Sequence, residues 1–354
     1  MVDRDRERID IDPELAAIWK KHGQPKFFFP RADAMLESRR LHSLGSARFM
    51  NSSFVKQTLG DGYEQRCAEY DRPVVVRDGT SVTVRIYRPI VDQFDGGHPV
   101  LIFSHGGGWC MGGLDTEEFI CQLLCLRLRL IIVSVAYRLA PEALFPTGIF
   151  DIYDVMKWVA VNAFSFGGNL SKGFLTGGVS GGGNFTVMAT ILAREDELRP
   201  ELTGHLFICT GMPHQGSDRK GNSFSLFPEK LALGSWETYK DGPLVNRAMM
   251  NYYSDLAQCE ATSKLSSPLL WNDYSKLGPV YYQVAGMDMW KDSALFDCDE
   301  VRKAGGAVKL DIYPGVPHVW WSVYPQLSIN KQWARDLVQG TAWLLEKDDR
   351  SSRL

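Results

Sequence analysis

Short apolar runs alternate with helical stretches along the chain from Pro99 onward, and this alternation is the strongest constraint on the fold. Continuous apolar strands separated by helices are typical of a mostly parallel sheet that is covered on both faces. The predicted strands are Val100 to Ser104, Leu130 to Val135, Gly173 to Thr176, Leu206 to Thr210, Val280 to Ala285 and Val308 to Tyr313. The predicted helices are Thr116 to Leu128, Phe150 to Val161, Asn184 to Arg194, Ser293 to Lys303 and Lys331 to Leu345. The sequence therefore predicts an α/β protein.

The residues before this alternation have a different pattern. Two β-branched runs, Pro73 to Val76 and Ser81 to Tyr87, are separated by Asp78-Gly79, which predicts an antiparallel hairpin. Residues 1–54 show no strand-helix alternation and are predicted to form helices outside the sheet. We expect all 354 residues to form one domain, because no linker long enough to separate two domains interrupts the pattern.

An irregular, aromatic-rich segment covers residues 212–267. Ligand sites on open α/β sheets lie at the carboxyl ends of the strands, so an insertion there would line the pocket. We therefore expect part of this segment, together with residues 1–54, to form a cap. The alternative is a peripheral packing unit that makes no substrate contact.

Composition excludes several classes of function. A net charge of −3 and 45% hydrophobic residues favour neither a nucleic-acid partner nor disorder. The first eight residues are too charged for a secretory signal, and no apolar stretch has the length of a membrane span, so a cytoplasmic location is expected. The seven cysteines lack paired spacing, which favours reduced, buried thiols over disulfides or a metal site.

Two glycine-rich motifs carry the chemistry. The strand ending at Ser104 runs into His105-Gly106-Gly107-Gly108, where backbone N–H groups can approach a substrate oxygen closely. Further on, the run 178–182 has the pattern G-x-S-x-G, which places Ser180 on a sharp strand-to-helix turn as a nucleophile. The N–H groups of Gly107, Gly108 and Gly181 are the predicted oxyanion donors.

A serine nucleophile needs a base, and the base needs an orienting carboxylate. On a fold of this type the partners follow the serine in the order acid, then histidine, each after a core strand. Asp288 follows the strand Val280 to Ala285, and His318 follows the strand Val308 to Tyr313. Asp292 competes for the acid role, but it directly precedes a predicted helix, where an N-cap or salt-bridge role is expected.

Large aromatic residues flank the predicted catalytic elements. They could form an apolar acyl or aromatic subsite, and core packing is the alternative for about half of them. The predicted substrate-binding residues are Trp109, Phe185, Trp290 and Trp320.

With these motifs, the chain resembles the hormone-sensitive-lipase-like branch of the α/β-hydrolases. Besides His105 to Trp109, the run 137–146 resembles that branch's Y-R-L-A-P-E…F-P signature, and Asp151 stands at its following acidic position. The resemblance implies an eight-stranded mixed sheet with a cap, and hydrolysis of short to medium acyl esters without a metal or organic cofactor. A homodimer through the edge strand Val308 to Tyr313 is also an implication of this resemblance.

The elbow departs from the usual pattern of the branch. The branch usually has G-D-S-A-G-G, whereas this chain has Val179 before the serine and Gly181 after it. These departures keep open a biosynthetic hydrolase, an acyltransferase or a lactonase that uses the same triad. A small-acid receptor without catalysis is a further alternative, and the presence of His318 argues against it.

Overall fold

One eight-stranded sheet organises the molecule. The computed structural model describes residues 10–25, 34–90, 96–211, 234–260, 263–265, 274 and 277–351. The strands are β1 (Cys67–Val75), β2 (Ser81–Pro89), β3 (Val100–Ser104), β4 (Ile131–Ala136), β5 (Phe174–Val179), β6 (Gly204–Ile208), β7 (Val280–Ala285) and β8 (Val308–Tyr313). Their order is β1-β2-β4-β3-β5-β6-β7-β8. β3 to β8 run parallel to one another and β2 joins them antiparallel, which confirms the predicted α/β fold.

Helices cover both faces of this sheet, and in the described residues α-helices also precede its first strand in the chain. They are α1 (Pro13–His22), α2 (Met35–Met50), α3 (Ser53–Leu59), α4 (Glu118–Leu128), α5 (Thr147–Asn162), α6 (Ser180–Glu195), α7 (Ser235–Thr238), α8 (Arg247–Ala257), α9 (Lys291–Lys303), α10 (Trp320–Val323) and α11 (Ile329–Ser351). No helix in the described part of the chain is both long and apolar enough to cross a membrane.

The predicted hairpin is confirmed as β1 and β2, which pair antiparallel from Val75 opposite Ser81 outward. Its turn depends on Asp78, whose side chain accepts hydrogen bonds from the backbone N–H and the hydroxyl of Thr80. Gly79 adopts φ +82°, a conformation that disfavours other residues. The Asp-Gly pair therefore provides the reversal that the sequence predicted.

β5 extends three residues beyond its predicted end, through Gly177 and Gly178 to Val179. The glycines do not break the strand, because the neighbouring strands approach them closely. A Cβ at Gly177 would lie 2.7 Å from the carbonyl oxygen of Leu206, and one at Gly178 would lie 2.8 Å from that of Ser104. α6 likewise begins at Ser180, four residues before its predicted start at Asn184.

Two hydrophobic clusters occupy the two faces of the sheet. Side chains alternate between them along a strand. Ile102 belongs to the cluster under α5 and α6, whereas Leu101 and Phe103 belong to the cluster under α4 and α11. Because both faces of the sheet are buried, we expect the polar groups of a site on the loops that follow the strands.

Parts of both predicted cap segments lie inside the described residues. The amino-terminal part contributes α1, α2 and α3, and the insertion contributes α7 and α8. Residues 1–9, 26–33, 212–233, 261–262 and 266–267 of these segments lie outside the described residues. All seven cysteines are free thiols, and six of them are buried.

Candidate active site

The nucleophile elbow forms where β5 turns directly into α6. Ser180 has φ +52°, an uncommon conformation for a residue with a side chain. The elbow also needs bare backbone next to the serine, because a Cβ at Gly182 would lie 2.0 Å from the carbonyl oxygen of His105. This tight turn leaves the Ser180 hydroxyl at the carboxyl end of the sheet and at the amino-terminal end of a helix.

The three predicted triad residues lie within hydrogen-bonding distance of one another. Nε2 of His318 is 2.8 Å from Oγ of Ser180, and Nδ1 of His318 is 2.5 Å from Oδ2 of Asp288. Oδ1 of Asp288 accepts a hydrogen bond from the backbone N–H of Trp290 at 3.0 Å, which fixes the carboxylate. Asp288 and His318 are only 2% and 3% exposed, so water competes little for these contacts.

The oxyanion loop follows β3 and lies against the elbow. Gly107 and Gly108 have φ +124° and +57°. A Cβ at Gly181 would lie 3.1 Å from the backbone nitrogens of Gly108 and Trp109. The structure thus brings the three predicted donor residues together beside Ser180.

Tyr137 supports this loop through two contacts with His105. The Tyr137 hydroxyl donates to the carbonyl of His105 at 2.8 Å, and the two rings stack with centroids 4.4 Å apart. Burial lowers the pKa of His105 to about 4, so the imidazole is neutral at physiological pH. Arg138, the next residue of the signature, binds the fully buried Asp151 at 2.7 Å. These contacts indicate a structural role for the signature.

Glu117 is a site residue that the sequence analysis missed. It directly precedes α4, is 7% exposed, and its Oε1 accepts a hydrogen bond from the backbone N–H of Gly106 at 3.1 Å. Burial raises the pKa of its carboxyl to about 7. An acidic residue shortly after a glycine-rich loop was the available signal.

A cavity of about 320 Å³ opens at Ser180 and His318. Apolar side chains make up most of its wall, and no lysine or arginine occurs among the described residues that line it. The lining residues beyond the catalytic loops include His42, Gly45, Ser46 and Phe49 of α2, then Leu244, Val245, Met249, Met250 and Tyr253, then Trp321 and Val323. The α2 residues recur at the spacing of one helix face, a signal that was present in the sequence.

The four predicted substrate-binding aromatics do not line this cavity. Trp109 stacks on Phe185 with centroids 6.0 Å apart, and Trp290 packs on Trp236 at 5.1 Å. Trp320 is fully buried against Tyr313 and Trp321, and it is Trp321 that faces the cavity. These ring contacts agree with the core-packing alternative, and the substrate-binding role of the four residues stays a prediction.

Asp292 lies apart from the triad. Its Oδ2 accepts a hydrogen bond from the backbone N–H of Ser235 at 2.7 Å, and its own N–H donates to the Ser235 hydroxyl at 3.0 Å. It is a first-turn residue of α9 rather than the N-cap, which is Trp290. The carboxylate therefore ties α7 to the start of α9.

One group of side chains in the described part of the chain has metal-ligand character. Ligand atoms of Cys209, Asp288 and His318 lie within 4.8 Å of one another. The hydrogen bond between Asp288 and His318 already uses two of these groups. The arrangement is therefore better suited to proton transfer than to holding a cation.

Comparison with known proteins places this site in a family. A family model described as the alpha/beta hydrolase fold matches residues 101–322, which span the oxyanion loop, Ser180, Asp288 and His318. The chain is an α/β-hydrolase. It belongs to the hormone-sensitive-lipase-like branch of that family, and it is a hydrolase of the carboxylesterase type.

Three relatives of this α/β-hydrolase illustrate the range of the similarity. An AB hydrolase superfamily protein of Schizosaccharomyces pombe is 30% identical over 347 residues, covering 96% of each chain. Carboxylesterase NlhH of Mycobacterium tuberculosis is 30% identical over 68% of this chain and 71% of its own. The crystal structure of vibralactone cyclase superposes with a TM-score of 0.85 at 28% identity, over 96% of both chains.

Proposed function

We propose that this α/β-hydrolase is a serine carboxylic ester hydrolase that acts through an acyl-enzyme at Ser180. The observation that carries the proposal is the chain of contacts from Ser180 through His318 to Asp288. His318 accepts the serine proton during attack on the ester carbonyl and later returns it to the leaving alcohol. The Asp288 carboxylate holds the imidazole in the productive tautomer and stabilises the imidazolium.

The oxyanion loop supports this chemistry. The backbone N–H groups of Gly107, Gly108 and Gly181 face the position of the developing negative oxygen, and losing one such donor costs about 3 kcal/mol of transition-state stabilisation. The amino-terminal end of α6 adds a favourable field at the same place. Water then attacks the acyl-enzyme with His318 as the base, and Ser180 is released.

The cavity supports a small, uncharged substrate. Its volume is about 320 Å³ and its wall is mostly apolar. A carboxylate-bearing substrate would find no lysine or arginine partner among the described lining residues. Short to medium acyl or aromatic small-molecule esters fit these properties, and carboxylesterase NlhH, a relative, carries a name of the same class.

Two assays test the proposal. p-Nitrophenyl acetate and butyrate report turnover, and intact mass after exposure to a fluorophosphonate reports a covalent serine adduct. Ser180→Ala should abolish both signals. The matched control is Ser322→Ala, because Ser322 lines the same cavity but its hydroxyl donates to the carbonyl of Val319. Equal turnover by wild type and Ser180→Ala would end the claim.

A second candidate is lactone formation by the same machinery. The similarity to vibralactone cyclase over nearly the whole chain supports it. In that reaction a hydroxyl of the bound acyl group, rather than water, attacks the acyl-enzyme carbonyl, and the Ser180 hydroxyl leaves. Incubation with activated esters of hydroxy acids separates the candidates, since a lactone is lighter than the hydroxy acid by one water. A Ser180→Ala control corrects for spontaneous closure.

Homodimerisation through β8 stays a prediction. β8 is at the edge of the sheet, and Ile312 on it is 40% exposed. An unpaired strand edge can pair with a second copy of the chain. A monomeric mass by light scattering at micromolar concentration would refute the dimer.

A further inference from the structure

Glu117 places a buried carboxyl group in the catalytic cavity that the proposed mechanism does not use. The residue lines the cavity together with Ser180 and His318. Its side chain hydrogen-bonds the backbone N–H of Gly106, the residue immediately before the donors Gly107 and Gly108. A group in this position affects both the shape of the oxyanion loop and the field at the base.

This carboxyl group lies near the elbow, where the chain lacks the carboxylate that the branch usually has. This chain has Val179 where the branch usually has an aspartate next to the nucleophile. Glu117 and Val179 both approach Gly106 of the oxyanion loop. A Cβ built on Gly106 would lie 3.2 Å from Oε1 of Glu117 and 3.5 Å from Cγ1 of Val179. The carboxyl group from the start of α4 and the Val179 side chain therefore lie on the same side of Gly106.

Burial is the main cause of the raised pKa of Glu117, whereas the hydrogen bond from Gly106 and the nearby His318 act in the opposite direction. An ionised carboxylate that lines the same cavity as His318 would favour the positive charge that this imidazole acquires during the reaction. With a pKa of about 7, the carboxyl changes its charge close to neutral pH.

Other titratable groups near Glu117 keep their charge in that range. Burial raises the pKa values of Cys121, Tyr137 and Cys209 and lowers those of His42 and His105, so that all five are neutral around pH 8. Asp288 is the other carboxylate that faces His318. A change in activity near pH 7 that is lost in Glu117→Gln can therefore be assigned to Glu117.

We propose that Glu117 is a positioning residue that supplies from α4 the carboxyl group missing from the elbow, where it holds Gly106 of the oxyanion loop and stabilises the imidazolium formed on His318. This inference rests on the proposed serine mechanism. It adds a second carboxylate to the environment of the base, on the side of the oxyanion loop rather than on the side of Asp288.

Glu117→Gln tests the proposal, because the amide keeps the size of the side chain and an acceptor for Gly106 but cannot ionise. The ratio of wild-type to variant kcat/KM should rise from about one near pH 6 to about ten near pH 8, with the loss in kcat rather than KM. The control is Glu118→Gln, whose side chain bonds Gln122 and does not line the cavity. A ratio that does not change with pH would overturn the proposal.

A rescue variant makes the test more specific. Val179→Asp combined with Glu117→Gln returns a carboxyl group to the elbow, and should recover kcat and the wild-type pH dependence at least in part. Circular dichroism establishes that the double variant folds. A folded double variant with the pH profile of Glu117→Gln alone would contradict the idea that the two positions supply the same group.

A measurement of stability separates this inference from the proposed function. A carboxyl whose pKa is raised on folding stabilises the protein below its unfolded pKa, and that stabilisation is lost as pH rises through about 7. The melting temperature of the wild type should therefore fall relative to that of Glu117→Gln between about pH 5 and pH 8. If this difference is present without any ester turnover, the proposed function fails; if turnover is present and the kcat/KM ratio does not change with pH, the Glu117 inference fails.

Discussion

Arg39 of α2 forms a two-pronged ion pair with Glu142, with Nη1 and Nη2 at 2.9 and 2.7 Å from the two carboxylate oxygens. The same guanidinium donates to the carbonyl of Cys110 at 2.8 Å and to that of Ala140 at 2.8 Å. One side chain of the predicted cap thus binds the oxyanion loop and the Y-R-L-A-P-E signature together. These four hydrogen bonds of Arg39, here called the clamp, hold α2 over the cavity in addition to its apolar contacts.

Arg39→Ala should loosen α2 and weaken substrate binding. Removing the guanidinium leaves two carbonyls without their donor, at a cost of about 1–3 kcal/mol. We expect KM for p-nitrophenyl butyrate to rise about fivefold or more, with a smaller change in kcat. Arg40→Ala is the matched control, since Arg40 pairs with Glu37 one turn away on an exposed surface. Equal kinetics for the two variants would show that α2 does not depend on the clamp.

Asp288→Asn should preserve the fold and lower kcat by about four orders of magnitude, because the amide favours the wrong tautomer of His318. Asp292→Asn serves as the comparison. Its carboxylate holds Ser235 rather than His318, so it should reduce thermal stability more than kcat. Steady-state kinetics and thermal melts of both variants measure the difference. A larger loss of kcat in Asp292→Asn would assign the acid to the other residue.

Gly181→Ala should impair this chain although alanine is the usual residue of the branch at that position. The new Cβ would lie 3.1 Å from the nitrogens of Gly108 and Trp109, so the oxyanion loop must shift. We expect kcat to fall about 100-fold, as when one oxyanion donor is lost. Gly278→Ala is the control, because the added methyl would make only ordinary contacts, with Thr203 at 3.5 Å, and Gly278 does not line the cavity. An unchanged kcat in Gly181→Ala would show that the loop adapts.

Met249→Ala should enlarge the apolar wall of the cavity and shift substrate preference toward longer acyl chains. The kcat/KM ratio of p-nitrophenyl octanoate to acetate should rise about tenfold. Trp320→Ala, at a fully buried position outside the lining, should instead destabilise the fold by about 3–5 kcal/mol. If Trp320→Ala changes chain-length preference in a stable protein, the predicted substrate-binding role of this residue is supported.

The sequence predicted those features that depend on local patterns. The strands β3 and β7 were predicted because their runs are almost continuously apolar, and β8 was predicted from a run in which Lys309 and Asp311 alternate with apolar residues. The order Ser180, Asp288, His318 follows from chain order on the fold. Local patterns do not determine where a strand that contains glycines ends. The sequence placed the end of β5 too early because the close approach of Leu206 and Ser104 to Gly177 and Gly178 is a contact between distant segments.

The substrate-facing residues could not be assigned in the same way. Trp320 and Trp321 are adjacent in the sequence, and only their packing decides that Trp321 meets the cavity while Trp320 stacks in the core. Glu117 was not predicted as a site residue for a related reason. Its position shortly after the glycine-rich loop is visible in the sequence, but its burial and its contact with Gly106 are not.

Ser180, Asp288 and His318 follow strands of the sheet, whereas much of the cavity wall belongs to α2 and to the region of α8. Reactivity and selectivity are therefore separable in this protein. Replacing residues 35–50 by the corresponding helix of another hydrolase, with Arg39 retained, would change which molecules are admitted while the covalent step stays the same.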